Sequence, residues 1–229
     1  MFLIRPRILL SEFLGTMFLL IGVIGSGIMA ERLSPSDVGL QLLQNAAATT
    51  GVLIAIISIF GTISADFNPA VTVTAWLLGH RQKNEVIPVI VFQVIGGCAG
   101  TVLANIMFDL DWFQLSEKTR SGANLWLAEV IATLGLLLIV FSLLHTKRSN
   151  HIPYVVGAYI GGAYYFTSST SFANPAVSVA RMLSDTFAGI EPSSAPMFIL
   201  MQIFGLGLAV WLIKYLFPKP QKTEANYSH

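Results

Sequence analysis

Two identical tripeptides, Asn68-Pro69-Ala70 and Asn174-Pro175-Ala176, lie 106 residues apart in otherwise apolar surroundings. An Asn side chain accepts from the first free N–H groups of a helix, and Pro presets the first helical residue, so each tripeptide reads as a helix start. An amide that caps through its oxygen still has an NH2 group, which can donate to a passing oxygen. Four charged residues also stand in or beside apolar runs: Glu12, Asp66, Glu129 and Arg181. Ionisable groups in such places are costly and are usually functional or paired. No nucleophile–base cluster or metal-ligand spacing accompanies them, so no enzyme, cofactor or metal is expected. Cys98, the single cysteine, sits beside Gly96, Gly97 and Gly100 and reads as a packed helix residue.

The elements that must hold these residues follow from composition. Of 229 residues, 54% are hydrophobic and 11% charged, less than half the charge of an ordinary soluble domain. Charge-free runs over 13–30, 86–108, 152–180 and 192–213 are each long enough to cross a bilayer core. The first fifteen residues resemble no removable leader, since Glu12 interrupts the apolar run and no small-residue cleavage site follows. Six spanning helices are expected, at about 8–30, 38–60, 84–108, 123–145, 151–167 and 194–217, and the whole chain 1–229 is one domain. Pro69–Leu78 and Pro175–Ser184 are helix-like but too short to span, since ten residues rise only about 15 Å. Nine Lys or Arg lie at the N-terminus, the 79–85 and 145–151 connections and the tail (Lys214, Lys219, Lys222), against three, Arg32, Lys118 and Arg120, in the alternate connections. That asymmetry puts both termini in the cytoplasm and suits a plasma (inner) membrane protein. No basic block long enough to suggest nucleic acid is present.

The chain also repeats. Glu12–Thr16 is echoed by Glu129–Thr133, Asn68–Val73 by Asn174–Val179, and Phe92–Gly97 by Met201–Leu206, at offsets of 117, 106 and 109 residues. Three spans per half, about 8–108 and 123–217, force the second half into the membrane in the opposite sense, an inverted repeat. The half-helices then enter from opposite faces with their N-termini meeting near the bilayer centre. Their aligned dipoles make a positive maximum there that opposes protons and cations. The non-helical stretches Gly61–Phe67 and Thr167–Ala173 are expected to line a polar path with carbonyl acceptors.

The six spans, the paired Asn-Pro-Ala half-helices and the early Glu of each half resemble the aquaporin and glycerol-facilitator (major intrinsic protein) family over essentially the whole chain. That resemblance implies an all-α membrane fold of six transmembrane helices plus two re-entrant half-helices, a homotetramer, and one pore per subunit. It also implies that Glu12 and Glu129 accept hydrogen bonds from loop N–H groups and hold the re-entrant loops, with proton relay as the alternative.

The chain departs from the family at the ring that narrows the pore beyond the Asn-Pro-Ala level. Matched residue by residue, the ring is Thr49 (with Ala48 as the alternative), Gly162, Ser171 and Val177, and Val177 stands where typical members have an Arg. Without that Arg, and with Gly at the fifth span, a wide, uncharged filter is expected. Arg181, one helical turn beyond Val177, either projects into the outer vestibule or pairs with Asp185. Asp66 falls where many members have a His, and either draws cations or is paired with Arg81, His80 or loop donors. His80, His145 and His151 either tune gating by pH or are solvated loop residues. The expected function is a passive channel for small uncharged solutes: polyols and urea, neutral metalloid acids such as arsenous acid, and water. The resemblance extends to bacterial members that lack the filter Arg and accompany arsenic handling. The alternatives are a water-selective pore and a coupled secondary transporter.

Overall fold

The computed structural model describes residues 5–218, which leaves the tail lysines Lys219 and Lys222 of the orientation count outside the described residues. Among the described residues the chain is all-helical. The elements are α1 (Pro6–Leu33), α2 (Val38–Phe60), α3 (Pro69–Leu77), α4 (Lys83–Met107), α5 (Ala123–His145), α6 (Ile152–Phe166), α7 (Pro175–Ala180) and α8 (Ala195–Leu216). Five of these, α1, α2, α4, α5 and α8, are long and apolar enough to cross a bilayer. The sixth span, α6, has only 15 helical residues and is lengthened at its start by a 3₁₀ turn, Ser149–His151.

Successive spans run in opposite directions, so α1 begins and α8 ends on one side of the helix bundle, here the near face, opposite the far face. On the near face, the rings of His145 and Phe217 meet at 5.1 Å where α5 and α8 end. On the far face, Arg32 at the end of α1 donates to the carbonyl of Phe108 after α4. Exposed aromatics mark both levels: Tyr154, Trp211 and Tyr215 near, and Trp112, Tyr165 and Phe166 far. Such rings settle at membrane–water boundaries.

The two halves match, α1–α4 against α5–α8. The closest packing is α1 on α4 and its counterpart α5 on α8, while α2 crosses its own counterpart α6. The first two contacts need glycine. A Cβ on Gly96 would lie 2.3 Å from the Phe13 carbonyl oxygen, and one on Gly205, its repeat partner, 2.6 Å from that of Val130. In lipid, where association rests on close backbone packing rather than on the hydrophobic effect, such sites set helix separation.

Both half-helices form, but they end differently. The first closes at Leu78 with Gly79 at φ +84, the left-handed residue that glycine favours after a helix. The second was expected to run to Ser184; α7 stops at Ala180 and gives way to a 3₁₀ turn, Arg181–Leu183. The cause is tertiary: Asn105 of α4 donates to the Leu183 carbonyl at 3.0 Å, and the Ser184 hydroxyl donates to Asn105 at 2.7 Å. These bonds hold the chain end away from a helical path.

Candidate functional site

Each Asn-Pro-Ala tripeptide caps its half-helix as its residues dictate. The Asn68 side-chain oxygen accepts from Ala70 N at 2.9 Å, and that of Asn174 accepts from Ala176 N at 3.0 Å and Val177 N at 3.3 Å. The amide nitrogens then cross between the loops. Asn68 Nδ2 donates to the Ala173 carbonyl and Asn174 Nδ2 to the Phe67 carbonyl, both at 2.8 Å. Each amide therefore spends one N–H on the opposite loop and keeps one for a solute.

The carbonyls that receive these bonds belong to residues in a left-handed backbone, Phe67 and Ala173, both at φ +47. Non-glycine residues adopt that region only at a cost of about 1–2 kcal/mol, so something must hold them. Two buried carboxylates do. Glu12 accepts from Asp66 N at 3.0 Å, Phe67 N at 2.8 Å and Gln93 Nε2 at 2.8 Å, and from the Ser64 hydroxyl. Glu129 accepts from Phe172 N and Ala173 N, both at 2.9 Å, from Gln202 Nε2 at 2.7 Å and from the Ser169 hydroxyl at 2.6 Å. Each glutamine also reaches the half-helix, Gln93 to Thr72 and Gln202 to Ser178, both at 3.0 Å. Four donors on each carboxylate offset its desolvation and leave no free oxygen to relay a proton. The loop-holding reading of Glu12 and Glu129 fits this geometry. The serine, glutamine and half-helix hydroxyl of each clamp carried no role in the sequence reading. The signal was present, since Gln93 and Gln202 occupy the same place in the two echoed segments.

The half-helices border one cavity of about 760 Å³. One wall is apolar except for the hydroxyls of Thr49 and Tyr164 and repeats with the fold: Leu19 and Val23 of α1 match Leu136 and Val140 of α5, while Thr49, Leu53 and Ile57 of α2 match Val156, Ile160 and Tyr164 of α6. The other wall is loop and cap. Gly61, Thr62, Ala65, Asp66 and Phe67 line it before Asn68, but only Ser171 and Phe172 line it before Asn174. The second stretch thus gives less to the path than the expected Thr167–Ala173, because Thr167 and Ser169 turn their hydroxyls to α6 and Glu129.

Toward the far face the lining ends at Thr49, Tyr164, Ser171, Val177 and Arg181. Three of the four expected ring positions, Thr49, Ser171 and Val177, meet here, and Thr49 rather than Ala48 faces the cavity. Gly162 does not. It sits on the exposed stripe of α6 with Val155, Ala158 and Phe166. Helical phase gives the reason: the inward stripe is Val156, Ile160 and Tyr164, at steps of four, and position 162 lies half a turn away. In its place Tyr164 brings an aromatic ring whose hydroxyl lies 3.1 Å from that of Thr49. On the fifth span the cavity is thus bordered by Tyr164 rather than by Gly162.

Arg181 faces the cavity and forms no ion pair with Asp185, which instead accepts from Glu117 N at 2.9 Å. Its guanidinium carbon lies 3.5 Å from the centre of the Phe172 ring, and its Nε donates to the Ala188 carbonyl. Asp66 is both paired and lining: Arg81 meets it at 2.9 Å and the Thr72 hydroxyl donates to it at 2.9 Å. Arg81 also reaches Ser64 at 2.9 Å and Glu85 at 3.5 Å. His80 borders the near mouth, while His145 and His151 are exposed away from the cavity.

Comparison with known proteins agrees with this architecture. The sequence pattern of the major intrinsic protein family matches residues 4–172. The chain is 41% identical over 207 residues to "Aquaglyceroporin AqpS" of Rhizobium meliloti (strain 1021), covering 90% of this chain and 88% of that protein. It is 34% identical over 118 residues to the "Glycerol uptake facilitator protein" of Escherichia coli (strain K12), covering 50% of this chain and 41% of that one. It is 29% identical over 189 residues to "Aquaporin NIP2-1" of Arabidopsis thaliana, covering 76% and 64%. With its two crossed Asn-Pro-Ala caps and carboxylate-clamped loops, this integral membrane chain belongs to the major intrinsic protein family.

Proposed function

We propose that the chain is a passive channel for small uncharged, hydroxyl-bearing solutes: glycerol-like polyols, urea, neutral metalloid acids such as arsenous acid, and water. The observation that carries the reading is the two-sided path. An aliphatic wall from α1, α2, α5 and α6 faces loops that present the Asn68 and Asn174 amides. A polyol can lay its C–H face on the first and exchange hydroxyl bonds along the second, so it loses little on leaving water. Thr49, Tyr164, Ser171 and Val177 form the proposed filter, with Arg181 at its rim. The names and similarity of the aquaglyceroporin and glycerol-facilitator relatives support this solute class. The subunit assembles as a homotetramer in the plasma membrane with both ends cytoplasmic, a reading supported by the family and by the basic near-face loops.

A second reading, a pore selective for water, is favoured by the Thr49–Tyr164 hydroxyl pair, which narrows one side of the ring. Swelling of reconstituted vesicles in gradients of water, urea, glycerol and arsenous acid separates the two. The proposed filter passes glycerol and arsenous acid well above protein-free vesicles, and Val177→Arg reduces those fluxes more than water flux. Water flux alone would establish the second reading, and unchanged selectivity in Val177→Arg would remove Val177 from the filter.

A further inference from the structure

We propose that the far mouth is also a binding site for a small oxyanion, held by Arg181, Arg120 and Lys118, and that an anion bound there obstructs neutral-solute flux. The inference rests on the channel reading for its effect on flux, but not for the binding itself.

Three cations converge on three consecutive carbonyls. Lys118 Nζ and Arg120 NH2 donate to Phe187 O at 2.8 and 3.3 Å, Arg181 Nε donates to Ala188 O, and Arg120 Nε donates to Gly189 O at 2.8 Å. The Arg181 and Arg120 guanidinium carbons lie 3.5 and 5.2 Å from the centre of the same Phe172 ring. These bonds fix the positions of the charges without neutralising them. Among the described residues, every ion pair within 4.0 Å involves Arg81 at the near mouth, and none involves these three.

The neighbouring carboxylates, Glu129 near the two arginines and Glu31 and Asp185 near Lys118, stand beyond ion-pair distance and hold other donors. Glu31 accepts from Phe187 N at 2.9 Å, Asp185 from Glu117 N at 2.9 Å, and Glu191 from the Thr119 hydroxyl at 2.8 Å. Burial, followed by the charges of Arg120 and Arg181, pushes the Lys118 ammonium down to about 8 against the smaller opposing pull of Glu31 and Asp185.

Arg181 is the centre of the site. It is 2% exposed, lines the cavity, and its two terminal nitrogens have no hydrogen-bond partner among the described residues. A guanidinium held by Nε alone presents its planar fork to whatever enters, and that fork matches two oxygens of an oxyanion. At the near mouth, by contrast, the lining Arg81 is paired with the lining Asp66 at 2.9 Å. Of the two arginines that line the cavity, the one without an ion pair thus stands at the far end.

The test compares sulfate with chloride at equal ionic strength on both sides of glycerol-loaded reconstituted vesicles. Millimolar sulfate should slow wild-type swelling at least threefold. Lys118→Gln at the rim should weaken that block severalfold, whereas Lys147→Gln in the near-face loop should leave it intact. A second arm reads binding without flux: in detergent, sulfate should raise the unfolding temperature of wild type by several degrees more than that of Lys118→Gln. Equal swelling in the two salts by a protein that conducts glycerol, or equal thermal shifts in the two proteins, would overturn the site. A protein that conducts nothing yet shows the differential thermal shift would sink the channel reading and keep the anion site.

Discussion

Phe67 and Ala173 show most compactly how the site is made. Each has its N–H drawn to a buried carboxylate and its carbonyl turned to the opposite asparagine, and φ of +47 is what that double demand requires. Glu129→Gln replaces an oxygen with an NH2 group that faces one backbone donor and one side-chain donor. It should cost about 2–3 kcal/mol, read as a lowered unfolding temperature in detergent together with loss of glycerol flux. The ring offers a sharper test at the same scale. Tyr164→Ala should raise the flux of larger polyols relative to water, because it removes the aromatic wall and frees Thr49. Gly162→Ala should leave selectivity unchanged and slightly stabilise α6, since an added Cβ meets nothing closer than 3.8 Å. A selectivity change on Gly162→Ala with none on Tyr164→Ala would restore glycine to the filter. The cap residues were legible in the sequence because capping is local chemistry. Tyr164 was not, because its place depends on how seven loop residues fold between α6 and Asn174. The left-handed backbone at Phe67 and Ala173 was equally hidden, since neither is a glycine.

At the scale of elements, the echoes at offsets of 117, 106 and 109 predicted which helices correspond, and the pairing of α1 with α4 and α5 with α8 follows that correspondence. Period and length were enough to find six spans and two half-helices. The early end of α7 was illegible, because Asn105 on a different span imposes it. Glycine crossings set the spacing that lets the clamps reach. Gly96→Val would drive a side chain into the Phe13 carbonyl of α1 and should lower stability by about 1–3 kcal/mol. Gly207→Ala, where an added Cβ meets nothing within 4 Å, should be neutral or stabilising. Thermal unfolding of the two variants in one detergent checks the contrast; equal midpoints would mean that the α1–α4 spacing is not fixed at Gly96.

For the whole molecule, the fold is two-fold in its scaffold and asymmetric in its charges. The clamps, caps and aliphatic stripes repeat, while Arg81 at the near mouth is paired with Asp66 and the far mouth groups unpaired cations around Phe172. Two of the carboxylates that a coupled transporter would titrate, Glu12 and Glu129, are saturated with donors, and the third, Asp66, is paired with Arg81. The central claim is that solutes pass downhill through a standing path. Its most direct test is the swelling of reconstituted vesicles in a glycerol gradient, measured with and without an imposed proton gradient. The account predicts fast, downhill glycerol entry at the same rate in both conditions. Uptake that needs the proton gradient, with no downhill flux in its absence, would contradict it.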